Sequence, residues 1–136
     1  SFIQTTGSRG FHIYIPLQRE LTFIKVHAFA KECAKHLAHQ YPHEITIEQN
    51  IKKRDTKVLI DYARNSYGLS TIAPYSLRAK ENAPIATPLH WDEIDDKNLN
   101  SQSYTIHNIF DRLSHTKDPW KDMSKSQASL KTIQLD

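Results

Sequence analysis

Apolar and polar residues alternate at the start of the chain and then recur at helical steps, and that change of period sets the expected order of elements. Phe2-Ile3-Gln4-Thr5 is short and half apolar, as a strand requires, and Gly7-Ser8-Arg9-Gly10 reads as a turn. In Phe11–Ile15, Phe11, Ile13 and Ile15 fall on one face and His12 and Tyr14 on the other. These segments predict a β-hairpin with a longer loop, ended by Pro16. Over residues 20–41, Phe23, Val26, Ala30, Ala34, Leu37 and Tyr41 recur at three- or four-residue steps and predict a helix, which Pro42 stops. Glu44–Glu48, Lys57–Tyr62 and Ser70–Tyr75 read as three further strands, separated by polar turns. Pro84 and Pro88 mark 79–89 as extended loop, and Trp91–Ile94 opens a short helical segment. Ile106, Ile109, Phe110 and Leu113 place a last helix within 104–113. The order predicts an α+β fold, a mainly antiparallel sheet with helices packed mostly on one face.

Length and composition narrow the function classes. The 136 residues fit one domain, and no apolar run approaches a membrane span, so no membrane partner is expected. One cysteine, Cys33, excludes a disulfide framework and a multi-cysteine zinc site. Ser1-Phe2-Ile3-Gln4 has neither a basic nor an apolar leader region, and the expected setting is a reducing cytoplasm. The first residue is not Met, as in a fragment of a longer protein. Charge is uneven: residues 1–80 hold twelve Lys and Arg against six acids, and the remaining 56 hold six against nine. A basic front half suits a polyanion partner, and an ordinary solvated surface accounts for the same excess.

Four groups of residues are candidates for chemistry. Thr5–His12 offers backbone N–H groups, hydroxyls and the Arg9 fork as a phosphate nest, or is an ordinary hairpin loop. Asp61 ends an apolar run, where a carboxylate is costly unless a cation or hydrogen-bond donors meet it, or it lies at the solvent edge. Arg54, Arg64 and Arg78 sit around strand ends, placed to converge on a triphosphate or a nucleic-acid backbone, or simply solvated in turns. His36, His39 and His43 lack the ligands that would complete a tetrahedral zinc set and are expected on the exposed side of their helix. Cys33 is expected in the core, with Trp91 and Trp120 as packing anchors.

The order of the motifs carries more than any one of them. Thr6-Gly7-Ser8-Arg9-Gly10-Phe11-His12 is followed by Val58-Leu59-Ile60-Asp61-Tyr62 with Arg64-Asn65. Next come Ala73-Pro74-Tyr75-Ser76-Leu77-Arg78-Ala79, Ala86-Thr87-Pro88-Leu89 with Trp91, and Asp118-Pro119-Trp120. This series resembles the polymerase domain of bacterial DNA ligase D, of the archaeo-eukaryotic primase superfamily, which works in end-joining repair. The resemblance covers the chain to Trp120 and implies that residues 1–120 are the C-terminal, RRM-like lobe of a primase-polymerase, with 121–136 a polar, mobile tail. It implies a DNA-directed nucleotidyltransferase in which a primer 3′-hydroxyl attacks the α-phosphate of an NTP or dNTP with two Mn²⁺ or Mg²⁺ ions. Asp61 matches the family's third catalytic carboxylate and metal ligand, and His12 the histidine of the phosphate loop. Thr6, Gly7, Ser8, Arg9 and Gly10 match that loop, Arg78 a triphosphate contact, and Arg54 a basic position near the site. Thr6 stands where the family usually has Ser and Arg9 where it usually has Lys. The family's Asp-x-Asp motif, upstream of the loop, is absent from this sequence. The chain is therefore expected to be inactive by itself. It would be a fragment, a truncated product or half of a split enzyme, completed by an N-terminal half, or self-associating to cover exposed apolar surface. The alternative is a non-catalytic module of the same ancestry that binds nucleotide or nucleic acid.

Overall fold

The computed structural model describes residues 1–132, and its contacts divide the chain into two units. The first contains residues 1–18 and 72–128; the second contains 19–71 and the residues from Ser129 on. The fold is α+β, with a three-stranded antiparallel sheet, a two-stranded parallel pair and two α-helices.

In the first unit the hairpin forms as expected, from β1 (Phe2–Thr5) and β2 (Phe11–Tyr14), with Gln4 opposite His12. The third strand is a correction. The expected strand at Ser70–Tyr75 is absent: after Pro74, which has no N–H to give a ladder, Tyr75 turns with φ of 60°. The segment expected as loop instead carries β3 (Pro88–Leu89), antiparallel to β1 with Ile3 opposite Leu89 and Gln4 opposite Pro88. Pro84 to Leu89 are all buried, the longest such stretch in the described chain. Pro88 is tolerated because its strand lies at the sheet edge, beside β1 alone.

Burial on the hairpin also runs against simple patterning. Phe11, Ile13 and Ile15, the apolar face, are exposed. The opposite face packs: Trp120 lies edge-on to Phe2 and Tyr14 at 6.3 and 4.9 Å, and its Nε1 donates to the Ile3 carbonyl. Trp120 is thus the anchor the sequence suggested. The last helix, α2 (Ile109–His115), starts later than expected. Thr105 and Asn108 close a turn ahead of it, through Thr105 N to Asn108 Oδ1 (2.7 Å). Of its apolar stripe only Ile109 is buried, while Ile106, Phe110 and Leu113 face solvent. The segment expected as a tail is described as far as Thr132. In it, Met123–Lys125 forms a 3-10 turn, and Ala128 exchanges backbone bonds with Pro16 and Gln18. Residues 133–136 lie outside the described residues.

In the second unit, α1 spans Phe23–Gln40. The Thr22 hydroxyl accepts from Lys25 N at its start, and Pro42 follows its last turn. β4 (Ile45–Thr46) and β5 (Val58–Leu59) are shorter than expected and pair in parallel, across a connection that includes the turn at Ile51–Lys53. His36, His39 and His43 are exposed, as expected, and Cys33 is half-buried, with burial pushing its thiol pKa up. Among the described residues no helix is long and apolar enough to cross a membrane.

Candidate phosphate site and its partners

The β1–β2 loop is tied by one hydroxyl. Thr6 Oγ1 donates to the Gly10 carbonyl at 2.8 Å and accepts from Ser8 N (3.2 Å) and Gly10 N (3.3 Å), while Thr6 N donates to the same carbonyl. A serine would make these bonds as well, so threonine keeps the loop's chemistry. Gly7 sits at φ of 62°, where an L side chain is strained. A Cβ there would lie 2.7 Å from Arg78 Cγ. Glycine is needed twice over, for the turn and to seat the stem of Arg78 against the loop. Beneath it, buried Thr5 donates through Oγ1 to the Ile85 carbonyl and exchanges bonds with Thr87.

The strand-like run around Arg78 is held to the same framework. Leu77 bridges Ile85, Arg78 N donates to the Pro84 carbonyl (2.8 Å), and Tyr75 N donates to Ala86. On the loop's other side the Ser8 carbonyl accepts from Ser101 Oγ (2.9 Å) and Gln102 Nε2 (2.7 Å). All peptide bonds are trans, so anchoring this carbonyl aims the Arg9 N–H the opposite way. Among the described bonds, the Gly7 and Arg9 N–H groups, the Ser8 hydroxyl and the Arg9 and Arg78 guanidinium groups remain for a ligand. That is the donor set of an anion site. His12 follows on β2, its Nδ1 3.4 Å from the Tyr14 hydroxyl, which also receives Gln4 Nε2 (3.1 Å). Gln4 is fully buried, and its Oε1 is left without a partner.

The same unit has a second polar centre that the sequence did not reveal. Arg112 Nη2 reaches Glu93 Oε2 (2.8 Å) and the Pro88 carbonyl (2.9 Å), and Nη1 reaches Glu93 Oε1 and the Tyr104 hydroxyl. The Arg112 side chain is 8% exposed. Burial pushes the Glu93 carboxyl up, but the Arg112 hydrogen bonds and the His90 N–H outweigh it, and its pKa falls below the ordinary carboxylate value. Burial, with the Glu93 charge beside it, raises the Tyr104 hydroxyl. Within the acidic run at 92–96, Glu93 is given to this clamp. Trp91, expected as an anchor, is partly exposed, with Nε1 donating to the Ser1 carbonyl (2.9 Å).

Asp61, Arg64 and Arg54 belong to the second unit. Asp61 follows β5, where Ile60 N bonds to Thr46, and precedes the 3-10 turn Tyr62–Arg64 without capping it. Its carboxylate is 41% exposed, and Arg64 Nε stands 3.8 Å away, a loose pair. Arg54 spends Nε and Nη2 on the carbonyls of Glu48 (2.7 Å) and Gln49 (2.6 Å), so two of its donors hold the β4–β5 connection. Among the described residues no three His, Cys, Asp or Glu side chains group to hold a metal. A lone carboxylate suits one cation shared with phosphate oxygens, but the donor set does not fit a two-ion centre.

Comparison with known proteins agrees with the motif order. Residues 1–120 match the LigD primase-polymerase domain family. The multifunctional non-homologous end joining protein LigD of Pseudomonas aeruginosa is 34% identical over 124 residues, covering 90% of this chain and 15% of that protein. The bifunctional LigD of Bacillus subtilis is 31% identical over 127 residues, 93% of this chain and 21% of that protein. Among solved structures, the polymerase domain from Mycobacterium tuberculosis Ligase D in complex with DNA superposes with a TM-score of 0.83 at 31% identity. That match covers 93% of this chain and 44% of that one. The chain thus spans about a fifth or less of the curated relatives and under half of the solved polymerase domain. The fold, the order of the motifs and the extent of the match lead to one assignment: the chain belongs to the LigD primase-polymerase domain family.

Proposed function

We propose that this chain is the nucleotide-gripping half of an end-joining DNA repair polymerase, serving metal-dependent nucleotidyl transfer to a primer 3′-hydroxyl at DNA ends. The observation that carries the proposal is the seating of Arg78 against Gly7, in a loop that Thr6 ties from within. Arg78, Arg9, Ser8 and the loop N–H groups hold the triphosphate of an NTP or dNTP, with His12 on the adjoining strand as a further phosphate donor. Anchored donors act without reorganising as the ligand arrives, the condition under which electrostatic stabilisation is most effective.

Asp61 supplies one carboxylate toward Mn²⁺ or Mg²⁺, while Arg64 and Arg54 supply positive charge for phosphate or nucleic acid. A divalent ion held by Asp61 together with phosphate oxygens would neutralise phosphate charge there. No transfer step is assigned to this chain alone, because Asp61 is a single carboxylate and the sequence has no Asp-x-Asp pair. The exposed Phe11, Ile13 and Ile15 face supports a covering partner, the rest of a polymerase domain or a second copy. Strictly monomeric sedimentation at high concentration excludes the second copy.

The test is calorimetric titration with ATP and Mn²⁺ beside Arg78→Ala and Asp61→Ala. Saturable binding that Arg78→Ala abolishes and Asp61→Ala only weakens is the expected result. Absence of binding to the folded chain, or binding indifferent to Arg78→Ala, overturns the proposal.

A further inference from the structure

The second unit presents aromatic rings to solvent that its fold does not require. Tyr67 is 84% exposed and Phe23 64% exposed, and the two rings meet edge-on at 5.6 Å, 73° between planes. One turn further along α1, His27 meets Tyr62 edge-on at 5.7 Å. Another turn on, Lys31 Nζ stands 6.0 Å from the Tyr62 ring centroid. Phe23, His27 and Lys31 are four residues apart, so they form one row on the helix surface. His27 is held in place: its Nδ1 lies 2.9 Å from the Asn65 carbonyl and 3.1 Å from Ser66 Oγ. A shallow cavity of about 220 Å³ opens among Phe23, Ile24, His27, Ser66 and Tyr67.

The surrounding charge selects the occupant. Residues 19–71 hold nine Lys and Arg against six acids, whereas 1–18 and 72–128 together hold eight of each. The first turn of α1 has no acid and carries Lys25. Among the described residues neither Lys25 nor Lys31 has a carboxylate within ion-pair distance, while Lys35 is taken by Glu32. Exposed rings beside a lysine with no carboxylate partner match unpaired nucleobases on a phosphate backbone: every base has a π-face to stack, and the cation meets the phosphate. An apolar protein partner would leave Lys31 facing a surface that does nothing for it.

We propose that the row Tyr67–Phe23–His27, continued by Lys31, is a stacking platform for single-stranded nucleic acid. On the reading of the chain as part of a DNA-end polymerase, the strand is the unpaired overhang of that end. The inference rests on the proposed function for the choice of DNA and on the ring geometry for the binding mode. Tyr67 contributes the open ring face, Phe23 and His27 the edge contacts that hold the shelf, and Lys31 the charge that meets the backbone.

The test is fluorescence anisotropy of the full chain with a labelled oligothymidylate, without nucleotide or metal, so that failure of the triphosphate grip leaves it untouched. Tyr67→Ala and Phe23→Ala are each expected to weaken binding about tenfold. Tyr67→Phe should retain it, and Tyr67→Leu should lose it as Ala does, because an apolar side chain without a π-face cannot stack. Lys31→Ala should reduce the slope of log affinity against log salt by ~0.7, the value for one phosphate on a single strand, and Lys25→Ala, on the opposite face of α1, should leave it unchanged. Affinity unchanged by Tyr67→Ala, rescue by Tyr67→Leu, or an abasic strand bound as tightly as the thymidylate overturns the proposal. Both rings are exposed, so loss of folding does not account for loss of binding; an unchanged thermal midpoint confirms it.

Discussion

The two units hold their polar residues in opposite ways. In the first, the framework around the open donors is tied: Thr6 closes its loop on itself, Ser101 and Gln102 hold the Ser8 carbonyl, and Arg112 clamps Glu93, Tyr104 and the Pro88 carbonyl. In the second, Asp61 and Arg64 face solvent 3.8 Å apart, and the rings of Phe23 and Tyr67 stand open. Net charge follows the same division, balanced in the first unit and positive in the second. A site whose donors are fixed beforehand can grip one small, highly charged ligand with little ordering cost. An open, basic surface suits a long ligand that contributes its own contacts. The difference teaches that family membership does not distribute rigidity evenly: the β1–β2 loop is tied from within in this chain, and the surroundings of Asp61 are not.

The comparison can be broken by measuring how much each region depends on its ties. The largest effect is expected from Arg112→Ala, which strands a half-buried carboxylate and should cost about 3 kcal/mol in chemical denaturation. A cost under about 1 kcal/mol would mean that the clamp does not hold the first unit together. The same clamp sets a pH dependence. Glu93 has a lowered pKa in the folded chain, so its contribution is full above the ordinary carboxylate range and is lost as pH falls through the folded value. The denaturation midpoint should drop on acidification, and Glu93→Gln should flatten that drop.

Gly7→Ala comes next. The positive φ alone costs about 1–2 kcal/mol, and the new Cβ must displace the Arg78 stem. Stability should fall by that amount while nucleotide affinity falls further, since Arg78 leaves its seat. Equal affinity in a stably folded Gly7→Ala chain would separate Arg78 from the grip. Smallest is Asp61→Asn, which breaks only an exposed, loose ion pair and should change stability by at most about 0.5 kcal/mol. A loss several times larger would show Asp61 to be structural, sharpening the contrast in the wrong direction for the account.

Local signals in the sequence were read correctly where local chemistry decides. Alternation and a glycine turn place the hairpin, and helical periodicity with Pro42 places α1, whose start is at Phe23 rather than residue 20 because Thr22 caps it. The family was legible through the order of motifs. Local rules failed where partners come from far along the chain. Pro84 and Pro88 signal loop, yet their segment is buried because β1 leaves an edge for it. The apolar face of β2 is exposed because Trp120, from 106 residues beyond Tyr14, packs on the other face. Glu93 and Arg112 are 19 positions apart, and nothing at either position announces the other. Glu93 also accepts from the His90 N–H as the third residue of its 3-10 turn, a capping role that a histidine at the N-cap does not advertise.

The central claim is that the finished phosphate loop binds a triphosphate by itself. The most direct measurement is a two-dimensional ¹H–¹⁵N correlation spectrum of the chain titrated with ATP and Mg²⁺. The account predicts saturable shifts of the amides of Gly7, Ser8, Arg9 and Gly10 together with Arg78, lost in Arg78→Ala. Shifts confined to other residues while those five stay still would contradict it.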